Sequence, residues 1–201
     1  MQFCFINSYA QDWHLKREKD GIKIYTADEP GTCIHTVKLE CTAVGNFSQL
    51  LAVIFDIDKI HFWTYNTIHS KILKMVNSHE MIFYAEVNTP FPLSNRDYIS
   101  HLTVAPPVND TIIIQSHAEP DYLPVNDGIV RVRDSKSHWV VTHAGDNLIK
   151  IEYIIHFNPG GNIPAWMINA YIAEGPYDSF VKLRQRMLLP EYKNAVFNFV
   201  N

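Results

Sequence analysis

The chain has 201 residues, a formal net charge of −4 and 12% aromatic residues. This length is typical of one domain, and a compact chain of this size buries about 70% of its unfolded surface, enough for a sizeable core or a lined cavity. The acidic balance leaves no basic patch for nucleic acid, which is therefore excluded as an expected partner. No apolar run approaches the ~20 residues of a membrane span, so we expect a soluble protein.

Residues 1–11 form a separate N-terminal segment with two interpretations. Residues 3–6 are a short apolar run, and Ser8-Tyr9-Ala10 has the small-x-small pattern of a signal-peptidase site, yet the segment lacks a charged leader. The segment is either the remnant of a longer export signal or a first helical turn that packs on the domain. The compartment is therefore left open between the cytoplasm and export.

A β-hairpin is predicted near the N-terminus. The strands His14 to Glu18 and Ile22 to Thr26 flank Asp20-Gly21, a dipeptide that accepts the positive φ of a tight turn. Ile34 to Thr42 then alternates apolar and polar residues, which predicts a strand with one solvent-exposed face. The chain is therefore expected to begin with three consecutive strands.

Two short helices are predicted next. Asn46 or Ser48 can cap a helix whose apolar residues recur at helical spacing up to Phe55, and Asp58 to Trp63 predicts a second helix. From residue 69 the hydrophobic period becomes mostly two, which indicates an antiparallel sheet. The predicted strands are Lys71 to Val76, Met81 to Val87, Arg96 to Val104, Thr111 to His117, Ile129 to Arg133, His138 to His143 and Leu148 to Phe157.

An unusual junction joins the last strand to the C-terminal helix. Pro159 ends the strand because proline cannot donate a hydrogen bond to a ladder, and Gly160-Gly161 allow a turn closed to residues with a Cβ. Pro164 suits the first helical turn, with Asn162 as a candidate cap. We assign a structural role to the junction residues Pro159, Gly160, Gly161, Pro164 and Trp166.

The C-terminal helix differs between its two halves. Residues 163–175 are apolar nearly all round, which indicates a segment that is buried on several sides or that exposes apolar surface for a purpose. Gly175-Pro176 predicts a kink, and the residues beyond it have the pattern of an ordinary amphipathic helix. The front half therefore looks like a lid.

The charged dipeptide Arg96-Asp97, at the start of a predicted strand, has two interpretations. In an enzyme such a pair can orient a substrate, but after the loop that begins at Pro92 it more often holds that loop through charge-assisted hydrogen bonds. We therefore assign Arg96 and Asp97 a structural role. Other basic residues are interpreted as a solvated strand face: Arg131, Arg133, Lys150 and Lys38.

The ten histidines show no paired-ligand motif and no matching cysteine spacing, so no metal site is predicted. Surface or strand positions are the simpler interpretation. Neighbouring strands could nevertheless bring some of them together, namely His101, His117, His143 and His156. No nucleophile elbow, phosphate-binding loop or dinucleotide fingerprint is present, so neither catalytic residues nor a cofactor are predicted.

Four segments together resemble the START family of StAR-related lipid-transfer domains. They are the hairpin from Trp13 through Lys-Asp-Gly to Ile22-Lys-Ile-Tyr25, the helix pair Asp56 to Trp63, Pro92-Leu-Ser-Asn-Arg-Asp-Tyr98, and Asn158-Pro-Gly-Gly-Asn-Ile-Pro-Ala-Trp166. The resemblance covers residues 12–188 and sets residues 189–201 apart as a C-terminal tail. It implies an α+β helix-grip fold, in which a curved antiparallel sheet wraps around a long, kinked C-terminal helix and holds one apolar ligand.

The expected function is non-catalytic binding of one lipid or sterol-like molecule between the sheet and the helix, with transfer left open. The alternative is an enzyme of the same superfold, similar to polyketide cyclases or aromatases, which needs a polar cavity with a perturbed acid or base. A regulatory protein with a filled interior is a third class. The expected partners are a hydrophobic small molecule and, transiently, a membrane, and a monomer is expected. The candidate ligand-lining residues are Ile151, Tyr153, Ile155, Met167, Ile168, Tyr171 and Ile172.

Overall fold

The computed structural model describes residues 11–200, so the two interpretations of the N-terminal segment lie outside the described residues except at Gln11. β-Strands are the most abundant regular structure in the described chain. The strands are β1 (His14–Lys19), β2 (Ile22–Ala27), β3 (Thr36–Val44), β4 (Thr67–Asn77), β5 (Glu80–Val87), β6 (Arg96–Val108), β7 (Thr111–Ala118), β8 (Val130–Arg131), β9 (Asp134–Gly145) and β10 (Leu148–Asn158). The α-helices are α1 (Phe47–Phe55), α2 (Ala165–Tyr171), α3 (Glu174–Met187) and α4 (Pro190–Lys193), and a 3₁₀ helix, Ile57–Phe62, follows α1.

The strands form one sheet in the order β1-β2-β3-β10-β9-β7-β6-β5-β4. Each neighbouring pair along that order is antiparallel, and β8 lies parallel to the start of β6. In the middle of the sheet Tyr153 of β10 lies between Leu39 of β3 and Trp139 of β9. Antiparallel pairing leaves one face free to pack on helices and the other free to meet solvent.

Helix α3 packs on the inner face of this sheet, which we define as the face that carries Tyr153. Phe180 of α3 is almost fully buried, and its ring lies 5.0 Å from that of Trp139 and 5.1 Å from that of Tyr153, between ring centroids. Tyr177, Leu183 and Met187 of α3 are also buried. The arrangement of one large antiparallel sheet around a C-terminal helix confirms the predicted α+β helix-grip fold.

The connection from β3 to β4 follows the sequence signals closely. Asn46 caps α1 with a capping box: its side chain accepts a hydrogen bond from the backbone N–H of Gln49, and the Gln49 side chain accepts one from the backbone N–H of Asn46. Ser48 has a different role, because its hydroxyl accepts a hydrogen bond from the backbone N–H of Phe197. Asn46 is therefore the cap, and Ser48 is not.

The predicted kink at Gly175-Pro176 lies in the wrong place. The regular helix is interrupted at Ile172 and Ala173, which both keep right-handed helical backbone angles, and Pro176 is the third residue of α3. Proline is tolerated in a first helical turn because the N–H groups there have no partner within the helix. The C-terminal helix is therefore interrupted near the predicted kink, but the interruption precedes the proline.

Two expectations about the start of α2 also need correction. Pro164 lies at the N-cap, with φ −59° and ψ 137°, rather than in the first turn. Its carbonyl accepts hydrogen bonds from the backbone N–H groups of Met167 and Ile168, and Asn162 provides no side-chain cap. By contrast, β10 ends directly before Pro159, and Gly160 and Gly161 have φ of +66° and +69°, as the sequence predicts.

Residues 189–200, which the sequence sets apart as a tail, pack back on α1. Tyr192 of α4 is buried, and its hydroxyl donates a hydrogen bond to the Asp56 carboxylate over 2.8 Å. The Phe197 ring lies 5.7 Å from that of Phe55, and Val200 is buried. No helix among residues 11–200 is long and apolar enough to cross a membrane.

Candidate functional site

The candidate site is the interior between the inner face of the sheet and the C-terminal helices. Tyr98 of β6 and Tyr153 of β10 both face this interior and keep part of their surface accessible. Burial nevertheless raises the pKa of Tyr98 to about 12. Burial also raises the pKa of Tyr153, with a smaller contribution from the neighbouring Tyr98. Side chains that are surrounded by protein and yet keep accessible surface are expected along the wall of an enclosed space.

The candidate lining residues on β10 differ in how much surface they offer. Ile151 is fully buried between Cys41 of β3 and Val141 of β9, so it supports the wall from within the core. Tyr153 and Ile155 are only partly buried and pack against the same core cluster. These two residues, rather than Ile151, offer surface to a ligand.

The candidate residues on the C-terminal helix divide in the same way. Ile172 is partly buried against the core cluster, and Ile168 is half-buried. Met167 and Tyr171 are exposed, Tyr171 to 70%, and no residue of α2 is buried. The structure thus brings Ile172 together with Tyr153 and Ile155 at the core, while Met167 and Tyr171 present apolar surface to solvent.

Helix α2 is attached to the sheet by a polar tether. The Asn169 side chain donates a hydrogen bond to the carbonyl of Cys33 over 2.9 Å and accepts one from the backbone N–H of His35 over 3.1 Å. Both partners lie just before β3, in the segment that leads into this strand. Because α2 buries none of its own residues, these two hydrogen bonds are a large share of what holds it in place.

The core cluster on the interior face consists of apolar and aromatic side chains. The buried Arg96 alternates with Asp97 along β6 and so lies on the same face as Tyr98, at the start of the strand. Asp97 is buried, but it lies on the opposite face of β6, since it alternates with Tyr98 along the strand. His156 is also buried and alternates with Ile155, so its imidazole lies on the outer face of β10. Neither a carboxylate nor an imidazole of these two strands therefore faces the interior.

A depression on the outer face is lined mostly by polar residue types. It has a volume of about 650 Å³ and includes Glu29, Thr36, Lys136 and His156 in its lining. Burial tends to raise the pKa of Glu29, but hydrogen bonds from Lys136 and Thr36 outweigh it and lower the pKa. This depression lies on the other side of the sheet from the candidate site.

Asp97 is paired with Arg131 rather than with its neighbour Arg96. The carboxylate accepts two hydrogen bonds, from Arg131 Nε over 2.7 Å and from Arg131 Nη2 over 3.0 Å. The same guanidinium donates to the carbonyls of Pro120, Leu123 and Pro124. Arg131 is buried, so its assignment to a solvated strand face was wrong.

Arg96 instead holds the junction between β10 and α2. Its side chain is 4% exposed and donates to the carbonyls of Ser94 and Gly160. A Cβ added to Gly161 would lie 3.3 Å from Arg96 Nη2, at a φ of +69° that residues with a Cβ rarely adopt. Burial lowers the pKa of the Arg96 guanidinium. Of the two residues, Arg96 therefore contacts the double-glycine turn, and Asp97 contacts the 119–131 connection.

The sheet, the gripped helix and the aromatic interior define a helix-grip protein with a candidate apolar binding site. The START domain model matches residues 6–191. The chain therefore belongs to the START domain family, as the sequence segments indicated.

Three similar proteins illustrate the relationship. An uncharacterized protein of Pseudomonas aeruginosa is 25% identical over 89% of this chain and 88% of its own length. The phosphatidylcholine transfer protein of Mus musculus is 29% identical over 85% of this chain and 81% of its own length. A crystal structure of a STAR-related lipid transfer protein fragment from Xanthomonas axonopodis is 28% identical, covers 88% of this chain and 99% of that chain, and has a TM-score of 0.82.

Proposed function

We propose that this protein binds one lipid molecule in the interior between the sheet and helices α2 and α3, and that it catalyses no reaction. The observation that carries the proposal is that Tyr98 and Tyr153 keep accessible surface on a face built mainly of apolar and aromatic core residues. A lipid tail placed against such a face gains about 0.8 kcal/mol for each methylene removed from water. Little directional bonding is needed to hold it.

The positions of the buried acid and imidazole of β6 and β10 also favour binding over catalysis. General acid–base chemistry needs a titratable group within hydrogen-bond reach of the reacting atom. On β6 and β10 the buried candidates for such a group, Asp97 and His156, lie on the outer face. Two relatives are lipid transfer proteins by name, namely the phosphatidylcholine transfer protein of Mus musculus and the ceramide transfer protein of Cricetulus griseus.

Helix α2 is proposed as the gate to this interior. It buries none of its residues, carries apolar surface and is tethered to the sheet through Asn169. The interruption of regular helix at Ile172 and Ala173 provides a bend about which α2 can move while α3 stays packed. Exchange of ligand then requires that α2 swing away from the end of β3.

Transient contact with a membrane follows from the same helix. Trp166 and Tyr171 are each 70% exposed, and their rings combine an apolar body with a polar tip. Such side chains favour the boundary between water and lipid. We propose that α2 touches the bilayer when it opens, so that a lipid passes from membrane to cavity without crossing water.

A titration with a fluorescent phospholipid analogue tests the proposal. Ile155→Trp should fill part of the interior and weaken binding, because Ile155 is partly buried on the inner face. The matched control is Ile154→Trp, one residue away on the outer face, which should bind as the original chain does. If Ile155→Trp and Ile154→Trp bind the analogue equally well, the site does not lie in the interior. The same conclusion follows if neither the original chain nor Ile154→Trp binds the analogue.

A further inference from the structure

A cluster of two histidines and a glutamate lies on the outer face of the sheet, away from the candidate lipid site. His101 of β6 and His117 of β7 are directly opposite each other in the ladder, and their ring centroids are 5.0 Å apart. Glu119 follows directly after β7. The sequence shows no metal motif here because the histidines are 16 residues apart along the chain and meet only through strand pairing.

The distances within the cluster fit metal coordination. Glu119 Oε1 lies 3.1 Å from His117 Nε2 and 3.6 Å from His101 Nδ1. One ligand atom from each of the three residues lies within 4.8 Å of the other two. Ligands bound tetrahedrally to Zn²⁺ at its usual bond lengths are about 3.3 Å apart, so small side-chain rotations suffice to place an ion between them.

A fourth residue orients one of the imidazoles. Glu80 of β5 lies 2.8 Å from His101 Nε2, which leaves His101 Nδ1 directed at Glu119. A histidine that binds a metal through one nitrogen commonly donates the other N–H to a carboxylate, which fixes the tautomer and the ring.

The backbone that carries the three ligands is already ordered. His101 and His117 lie within the β6–β7 ladder, and the backbone N–H of Glu119 donates to the carbonyl of Ile99 over 2.9 Å. The next residue, Pro120, is held through its carbonyl by Arg131. An ion bound at this position would meet ligands whose main-chain positions need no rearrangement.

We propose that His101, His117 and Glu119 form a site for a divalent transition metal, with Zn²⁺ the expected ion, and that Glu80 positions His101. Two imidazole nitrogens and one carboxylate are ligands that Zn²⁺ favours, and three protein ligands leave one coordination position for water. A bound ion would join β6 and β7 to the start of the 119–131 connection. The site is independent of the proposed lipid binding.

Calorimetric titration of Zn²⁺ into the full chain, prepared without a histidine tag, tests this site. We expect one ion per chain, at least a tenfold weaker affinity in His117→Ala, and roughly 10- to 100-fold weaker binding in Glu80→Gln, which removes only the orienting carboxylate. The matched control is His69→Ala, an exposed histidine of β4, which should bind Zn²⁺ unchanged. Since His117 is exposed, its replacement is not expected to unfold the chain.

Thermal unfolding supplies a second readout. At about a hundredfold excess of free Zn²⁺ over its Kd, the Tm should rise by roughly 5 to 10 °C in the original chain and in His69→Ala, and not in His117→Ala. No binding by the original chain, or an equal Kd and Tm shift in His117→Ala, would overturn the proposal. Either result would identify the cluster as histidines hydrogen-bonded to carboxylates and nothing more.

Discussion

Asp97 and Arg131 form a buried ion pair that joins the start of β6 to the connection before β9. Two hydrogen bonds, of 2.7 and 3.0 Å, link the carboxylate to the guanidinium, and both side chains are almost completely inaccessible. Arg131 also holds three carbonyls of the 119–124 segment. The pair therefore fixes a long irregular segment against the outer face of the sheet.

Replacement of Arg131 should strongly destabilise the fold. Arg131→Met leaves the Asp97 carboxylate buried without a partner, which is expected to lower the free energy of unfolding by about 3 to 5 kcal/mol in urea titrations. Arg133→Met is the matched control, because its pair with Asp121 is exposed and should contribute only about 0 to 1 kcal/mol. Similar losses in the two variants would show that burial of the first pair has no special weight.

Removal of the α2 tether should accelerate exchange of ligand. Asn169→Ala deletes two hydrogen bonds, each with a net contribution of about 0.5 to 1.5 kcal/mol, so the dissociation rate of a fluorescent lipid should rise about 5- to 100-fold. Stopped-flow transfer to acceptor vesicles measures that rate. Asn162→Ala, which removes an exposed amide from the same junction, serves as control and should leave it unchanged. An unaltered rate in Asn169→Ala would argue against α2 as the gate.

Loss of the exposed rings of α2 should weaken membrane contact. Replacing Trp166 and Tyr171 by Ser removes two aromatic side chains that can insert at a bilayer surface, and vesicle co-sedimentation should fall by roughly tenfold or more. Tyr122→Ser removes an exposed ring from the 119–131 connection and should have no effect. If the double variant and the control sediment alike, another surface meets the membrane.

Local chemistry made much of the fold predictable. The Asp20-Gly21 turn, the Asn46 cap and the end of β10 at Pro159 depend on residues that are adjacent in the sequence, and the structure has them as predicted. The alternation in β10 likewise identified the inner face, on which Tyr153 and Ile155 lie.

The features that the sequence did not reveal depend on distant partners. Arg131 lies in a two-residue strand and meets Asp97, 34 residues earlier, only because β8 pairs with β6. Edge strand β4 begins four residues before its predicted start at Lys71, since three register shifts obscure its alternation. The interruption of the helix precedes the predicted position at Gly175-Pro176 because Pro176 fits the first turn of α3. The sequence alone does not determine where that turn begins.

Native mass spectrometry of the chain after incubation with mixed phospholipid vesicles tests most directly whether the interior holds a lipid. We expect a species with the mass of the protein plus one lipid in the original chain and in Ile154→Trp. Extraction and fragmentation then identify that lipid. The same species should be lost or strongly reduced in Ile155→Trp while that variant stays folded. If the original chain carries no lipid under these conditions, or if the adduct persists equally in Ile155→Trp, the interior does not hold a lipid.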